Sequence, residues 1–75
     1  MKEKFIKEMA EILKVDIESL AYEKRFDEIG ASWDSLAIVS TITTIDEIFD
    51  IVVSGSEVTN CNSIQEIIEV VENSK

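Results

Sequence analysis

Apolar residues recur at helical spacing in three stretches of this 75-residue chain. In residues 2–14 one helical face carries Phe5, Ile6, Met9, Ile12 and Leu13. In residues 35–50 a wider face carries Leu36, Val39, Ile42, Ile45 and Phe49, with Ile38 and Ile48 at its edges. In residues 63–71 a third face carries Ile64, Ile67, Ile68 and Val71. An apolar residue every three or four positions is typical of amphipathic helices, so three main helices are expected.

The segment between the first two helices, residues 15–32, is longer than most connections between helices. Its apolar residues are expected to anchor it to the core, and they are Ile17, Leu20, Tyr22, Phe26 and Ile29. Asp16 is a candidate cap for a short turn that runs to Leu20. Gly30 is a candidate for a backbone angle that other residues resist.

Capping residues mark where the later helices begin. Asp34 can accept hydrogen bonds from the free amides of a helix that starts at Ser35. Ser63 and Glu66 have the spacing of a capping box at the start of the last helix. Ser54-Gly55-Ser56 should end the preceding segment, and residues 57–60 leave room for one short helix. The expected fold is all-α, a small four-helix bundle with three main helices and a short third one, in one domain over residues 1–75.

Charge and composition exclude several classes of function. The net charge is −9, and residues 26–74 contain ten acidic residues and no Lys or Arg. Such a chain lacks the cations that nucleic acid requires, and a basic protein surface is the expected partner. Histidine is absent and Cys61 is the single cysteine, which argues against a catalytic triad or a metal site. We therefore expect no enzymatic activity, no metal and a buried, structural Cys61.

Asp34-Ser35-Leu36, followed at fixed spacing by Val39, Ile42, Ile45 and Phe49-Asp50, resembles the carrier-protein family, which comprises acyl carrier proteins and their peptidyl and aminoacyl relatives. The comparison with bacterial acyl carrier proteins runs from Asp34 to Val71 without a gap. The resemblance implies that Ser35, flanked by Asp34 and Leu36, carries 4'-phosphopantetheine attached by a phosphopantetheinyl transferase from coenzyme A. It also implies that the arm holds acyl or aminoacyl groups as thioesters for delivery to biosynthetic enzymes.

The position of Ser35 suits that role. A phosphate on a first-turn serine would face unpaired backbone amides and the positive end of the helix dipole. Ser35 has no histidine or neighbouring lysine in the sequence to activate it, so it is expected to be an attachment site rather than a catalytic nucleophile.

Partner enzymes with basic docking patches are expected to bind along the second helix and the turn after it. Leu36 and Val39 would supply apolar contacts, and charge would come from Asp46, Glu47 and Glu57. Trp33 replaces the usual residue before the motif, and it can cover the loop–helix junction or contact partners. The family's recognition helix is usually acidic in its first turns, whereas here the corresponding positions are neutral: Ala37, Ser40, Thr41, Thr43 and Thr44. A specialised carrier is therefore expected rather than the housekeeping fatty-acid carrier.

Three questions stay open at this point. Fatty acyl, polyketide and aminoacyl groups all remain possible cargo. Six apolar residues either pack as core or line a cleft for that cargo: Ile38, Ile45, Val53, Val58, Ile64 and Ile67. The alternative function is a non-catalytic acidic helical adaptor whose serine is never modified. In either case we expect a monomer in the cytoplasm. Membrane insertion is not expected, because no apolar run approaches about 18 residues.

Overall fold

The computed structural model describes residues 2–20 and 22–74, with only the backbone of Lys2. Within these residues the chain forms four α-helices: α1 (Lys2–Leu13), α2 (Ser35–Phe49), α3 (Gly55–Thr59) and α4 (Ile64–Asn73). Two 3₁₀ turns, Ile17–Ser19 and Phe26–Ile29, lie between α1 and α2. No strand occurs in the described part, where a single antiparallel bridge joins Arg25 and Ser63. The predicted all-α bundle with a short third helix is confirmed.

The core is one cluster of buried side chains to which all four helices contribute. From α1, Phe5, Met9 and Leu13 are buried, as predicted. The ring of Phe5 meets that of Phe49 edge to face, with 5.6 Å between their centroids. All four residues of the predicted inner face of α4 are also buried: Ile64, Ile67, Ile68 and Val71. Burial of these aliphatic side chains is the main stabilising term for a domain of this size.

The buried face of α2 differs from the predicted stripe. Leu36 is 73% exposed and Val39 is 60% exposed, so this end of the apolar stripe faces away from the core and is accessible for the contacts expected of it. Thr41 and Thr44 lie on the core face instead, with Ala37 and Ile45. Threonine is tolerated because Thr41 Oγ1 donates to the carbonyl of Ala37 (2.8 Å) and Thr44 Oγ1 donates to that of Ser40 (2.9 Å). A hydroxyl satisfied by its own helix can be buried at little cost.

Apolar side chains account for part of the anchoring of the long connection. Leu20 and Phe26 are buried and Ile29 packs against the core. The prediction is wrong for Ile17 (47% exposed) and Tyr22 (36% exposed).

Backbone hydrogen bonds to the start of α4 hold the rest of this connection. The Phe26 amide donates to the carbonyl of Asn62 (2.7 Å), and the Gln65 amide donates to that of Tyr22 (3.0 Å). Asp16 does precede the first 3₁₀ turn, but its side chain makes no capping hydrogen bond. The connection is thus held to α4 by its backbone as well as by its side chains.

The start of α4 has the predicted cap, whereas the start of α3 differs from the prediction. Ser63 Oγ accepts from the Glu66 amide (3.2 Å), and Glu66 Oε2 accepts from the Asn62 amide (3.0 Å), as a capping box should. The short third helix begins at Gly55 rather than in residues 57–60, because Ser54 Oγ accepts from the Glu57 amide (3.2 Å). No helix in the described ranges is both long and apolar enough to span a membrane.

The six apolar residues that were candidates for lining a cargo cleft lie in the core or pack against it. Five of them are buried among the other core side chains, and they are Ile45, Val53, Val58, Ile64 and Ile67. Ile38 is partly buried against the same cluster. These residues fill the interior as the structure stands, so any cargo binding there would have to displace packed side chains.

Candidate functional site

The site is built around the first turn of α2. Asp34 has extended backbone angles (φ −119°, ψ −176°), and its Oδ1 accepts from the amide of Ala37 at 2.9 Å. The carbonyl of Asp34 accepts the next amide, that of Ile38, at 2.9 Å. Asp34 is therefore the cap that the sequence predicted, and the helix begins at Ser35.

Ser35 lies on the surface at the first position of α2. Its hydroxyl makes no hydrogen bond to any other residue that the structure describes. The amides of Ser35 and Leu36 precede the first intrahelical bond and have no helical acceptor. An exposed hydroxyl beside free amides at the positive end of a helix dipole is suited to carry a phosphoryl group.

Gly30 and Trp33 shape the segment that leads into the first turn of α2. Gly30 has φ +68°, the left-handed angle that the sequence predicted for it. The indole of Trp33 packs against Phe26 with 4.7 Å between the ring centroids, so it covers the junction between the connection and α2. Its Nε1 is buried and has no acceptor within residues 2–20 and 22–74. Much of this side chain is thus used for packing.

A depression of about 130 Å³ lies beside the first turn of α2, and its lining includes the two residues that flank Ser35 but not Ser35 itself. Seven residues line it: Ile12, Lys14, Ser32, Asp34, Leu36, Ala37 and Ser40. The backbone brings these segments together, because the Ser32 amide donates to the carbonyl of Leu13 (3.4 Å) at the end of α1. Sequence reasoning missed Lys14, since nothing in the local pattern indicates that the end of α1 meets the start of α2.

The surface of α2 presents apolar residues near Ser35 and acidic residues farther along. Leu36 and Val39 are exposed within the first turns, and Asp46 and Glu47 are exposed near the end of the helix. Glu57 is exposed on α3. The residues proposed from sequence as partner contacts are thus accessible, except that Trp33 is half-buried.

The neutral residues of α2 do not all lie on its surface, contrary to the prediction. Ala37, Thr41 and Thr44 are buried in the core, so they cannot describe the surface. Of the five neutral positions only Thr43 is exposed and Ser40 half-buried. The exposed surface between Ser35 and Asp46 is nevertheless uncharged.

Cys61 is separate from this site. Its side chain is buried, and burial, together with Glu66 and Glu57, raises the pKa of its thiol from 9.0 to about 11. Its Sγ lies 3.3 Å from the carbonyl of Glu57. In the described part of the chain no three His, Cys, Asp or Glu residues cluster in a way that could hold a metal ion.

A family model described as "Phosphopantetheine attachment site" matches residues 3–71. Members of that family carry a covalently attached 4'-phosphopantetheine group. The start of α2 fits such a group, because it offers an accessible hydroxyl, free amides beside it and an open depression with one cationic residue in its lining.

Proposed function

The chain belongs to the phosphopantetheine-binding family, and on that premise we propose that Ser35 is the residue that carries the 4'-phosphopantetheine arm. The observation that supports this choice is the position of Ser35: it is exposed at the first position of a helix whose cap, Asp34, leaves neighbouring amides free. The thiol at the end of the arm holds the cargo as a thioester, as in other carrier proteins. The chain is a phosphopantetheine-carrying carrier protein, and we propose that its cargo is an acyl or aminoacyl group.

The attachment needs a base that the carrier does not supply. Ser35 Oγ forms a bond to the phosphorus of coenzyme A that bears the pantetheine, the P–O bond to adenosine 3',5'-bisphosphate breaks, and the serine proton passes to a base. The chain has no histidine, and the Ser35 hydroxyl has no hydrogen-bonded base among the described residues. The base therefore comes from the phosphopantetheinyl transferase, the enzyme with which carriers of this family interact. Ser35 itself performs no catalysis, and we propose that the protein is not an enzyme.

The experiment that tests this site is incubation with coenzyme A and a phosphopantetheinyl transferase, followed by intact-mass measurement. The wild-type protein should gain the mass of one phosphopantetheine, and Ser35→Ala should gain nothing. Ser32→Ala is the matched control, since Ser32 is also exposed and lines the depression beside the first turn of α2. Modification of Ser35→Ala would overturn the assignment. Failure of the wild-type protein to be modified would favour the alternative, an acidic adaptor with an unmodified serine.

We propose that partner enzymes dock on the exposed side of α2. Leu36 and Val39 supply the apolar contact near Ser35, and Asp46, Glu47 and Glu57 supply charge for a basic patch. Trp33 contributes the exposed part of its ring at the edge of this surface. A few contacts near the centre of such an interface contribute most of its binding energy.

A pair of valines tests this docking surface. Val39→Asp should lower kcat/KM for modification by the transferase about tenfold, because it places a charge where an apolar contact is expected. Val52→Asp is the control, because Val52 is even more exposed (81%) and lies beyond the end of α2. Equal effects of the two substitutions would show a response to net charge rather than to a local contact.

The uncharged surface between Ser35 and Asp46 supports a specialised carrier rather than the housekeeping fatty-acid carrier. Ordinary fatty-acid synthase enzymes with basic docking patches would find few carboxylates near Ser35 on this helix. Malonyl loading and elongation by such enzymes should therefore be slow in vitro. Efficient elongation would contradict the proposal.

A further inference from the structure

Lys14 has an unusual backbone conformation directly after α1. Its φ is +58°, in the left-handed region that residues with a side chain rarely adopt. Among the described residues, Gly30 (φ +68°) and Asp50 (φ +56°) also have a positive φ. A lysine at such a position carries a backbone cost that glycine would avoid. Its side chain is exposed, and it lines the same depression as Asp34 and Leu36, the two neighbours of Ser35 in the sequence.

The charges around Ser35 make this lysine significant. Asp34 is the residue before Ser35, and a phosphodiester on Ser35 would add a second negative charge beside that carboxylate. Residues 35–45 contain no charged side chain, so α2 offers no cation to offset the repulsion. Lys14 is the one cationic residue in the lining of the depression. No ion pair within 4.0 Å engages it in the described ranges, where the pair that does form joins Arg25 and Asp27.

We propose that Lys14 is a positioning residue for the phosphodiester on Ser35. Its ammonium group pairs with the phosphate oxygens, offsets the charge of Asp34 and holds the first bonds of the arm against the end of α1. This role rests on the proposed attachment at Ser35. Lys14 lies directly after α1 and outside the Asp34-Ser35-Leu36 motif, so the motif alone does not predict this role.

A purely structural role for Lys14 makes a different prediction. A cation at the end of a helix stabilises the helix dipole, and that effect is the same whether or not Ser35 is modified. Pairing with the phosphate stabilises the modified protein alone. The change in melting temperature on modification therefore separates the two roles, and the backbone cost at residue 14 cancels because each variant is compared with its own unmodified form.

The test measures Tm of the unmodified and modified forms of wild type, Lys14→Gln, Lys14→Arg and Lys7→Gln at about 20 mM salt. An exposed ion pair in a domain of this size is worth a few degrees. The increase in Tm on modification should be about 2–4 °C smaller in Lys14→Gln than in wild type, and Lys14→Arg should retain it. Lys7→Gln, an exposed lysine of α1, should behave as wild type. At about 1 M salt the difference should disappear.

A second readout is the NMR signal of the lysine side chains. The Cε–Hε resonance of Lys14 should shift when Ser35 is modified, while that of Lys7 should not. Equal Tm changes in wild type and Lys14→Gln, with no shift of the Lys14 signal, would overturn the proposal. Wild-type protein that coenzyme A and transferase leave unmodified would instead refute the attachment site, and the role of Lys14 with it.

Discussion

Two capped helix starts in this molecule have opposite surroundings. At α4, Ser63 and Ile64 are buried, and the Gln65 amide donates to the carbonyl of Tyr22. At α2, Asp34, Ser35 and Leu36 are all exposed. Both helices have a side chain that accepts from the amide three residues later. Capping alone therefore does not decide what a helix start is used for.

The two helix starts differ in which groups accept hydrogen bonds from the remaining backbone amides of the first turn. The long connection covers the start of α4: the Tyr22 carbonyl accepts from the Gln65 amide, and the Phe26 amide donates to the Asn62 carbonyl. The same connection leads into α2 and leaves its first turn open, with an accessible serine. One helix start is closed and serves stability, while the other is open and available for a phosphoryl group. Three predictions test this contrast.

The largest expected effect comes from truncating one apolar residue at each start. Ile64→Ala should lower the free energy of unfolding by about 3 kcal/mol, because Ile64 is fully buried. Leu36→Ala should change it by less than about 0.5 kcal/mol, because Leu36 is mostly exposed. Urea unfolding followed by circular dichroism measures both. If Ile64→Ala does not fold, Ile64→Val should still cost about 1 kcal/mol. Similar losses for Ile64→Ala and Leu36→Ala would break the contrast.

The thiol next to the closed start should be protected. Because burial raises the pKa of Cys61 from 9.0 to about 11, its thiolate fraction at pH 8 falls about a hundredfold. Alkylation of the unmodified native protein at pH 8 should be slower than that of the unfolded protein by at least about that factor. The rate should rise with pH up to about 11, since the reactive thiolate forms as the pH approaches the raised pKa. Labelling at equal rates in the native and unfolded protein would show that Cys61 is accessible.

The smallest effect distinguishes the two caps. Ser63→Ala should cost about 1.5 kcal/mol and Asp34→Ala about 1 kcal/mol. Water can replace the exposed Asp34 carboxylate on the Ala37 amide, whereas the buried Ser63 leaves the Glu66 amide without a substitute. Asp34→Asn, which keeps an acceptor oxygen, is the control and should cost only a few tenths. Asp34→Ala at least as costly as Ser63→Ala would contradict this view of the two starts.

The sequence predicted the parts of the fold that depend on local chemistry. The caps at Asp34 and Ser63 follow from side chains that accept from amides three residues away, and the helix spacing follows from apolar periodicity. The left-handed angle of Gly30 is equally local. Such features need no knowledge of the rest of the chain.

The errors concern contacts between distant segments. The sequence pattern places Thr41 among the neutral positions of the recognition surface, yet α1 packs against it, and Thr41 Oγ1 lies 3.5 Å from Met9 Sδ. Tyr22 contributes its carbonyl rather than its ring to the anchoring of the connection. Lys14 shares a depression with Asp34 and Leu36 only because the end of α1 lies near the start of α2. Periodicity identifies a face of a helix, but it does not say which part of that face another helix will cover.

The far end of α2 has an electrostatic consequence for docking. Asp46, Glu47 and Asp50 lie at the end where the helix dipole is negative, and the last turn contains no basic residue. Each of these carboxylates is placed against the dipole, at a cost of a few tenths of a kcal/mol in water. A lysine or arginine of a docked enzyme would supply the cation that this helix end lacks. Binding would then stabilise the helix that begins at Ser35, and release would return that helix to its less favourable isolated state.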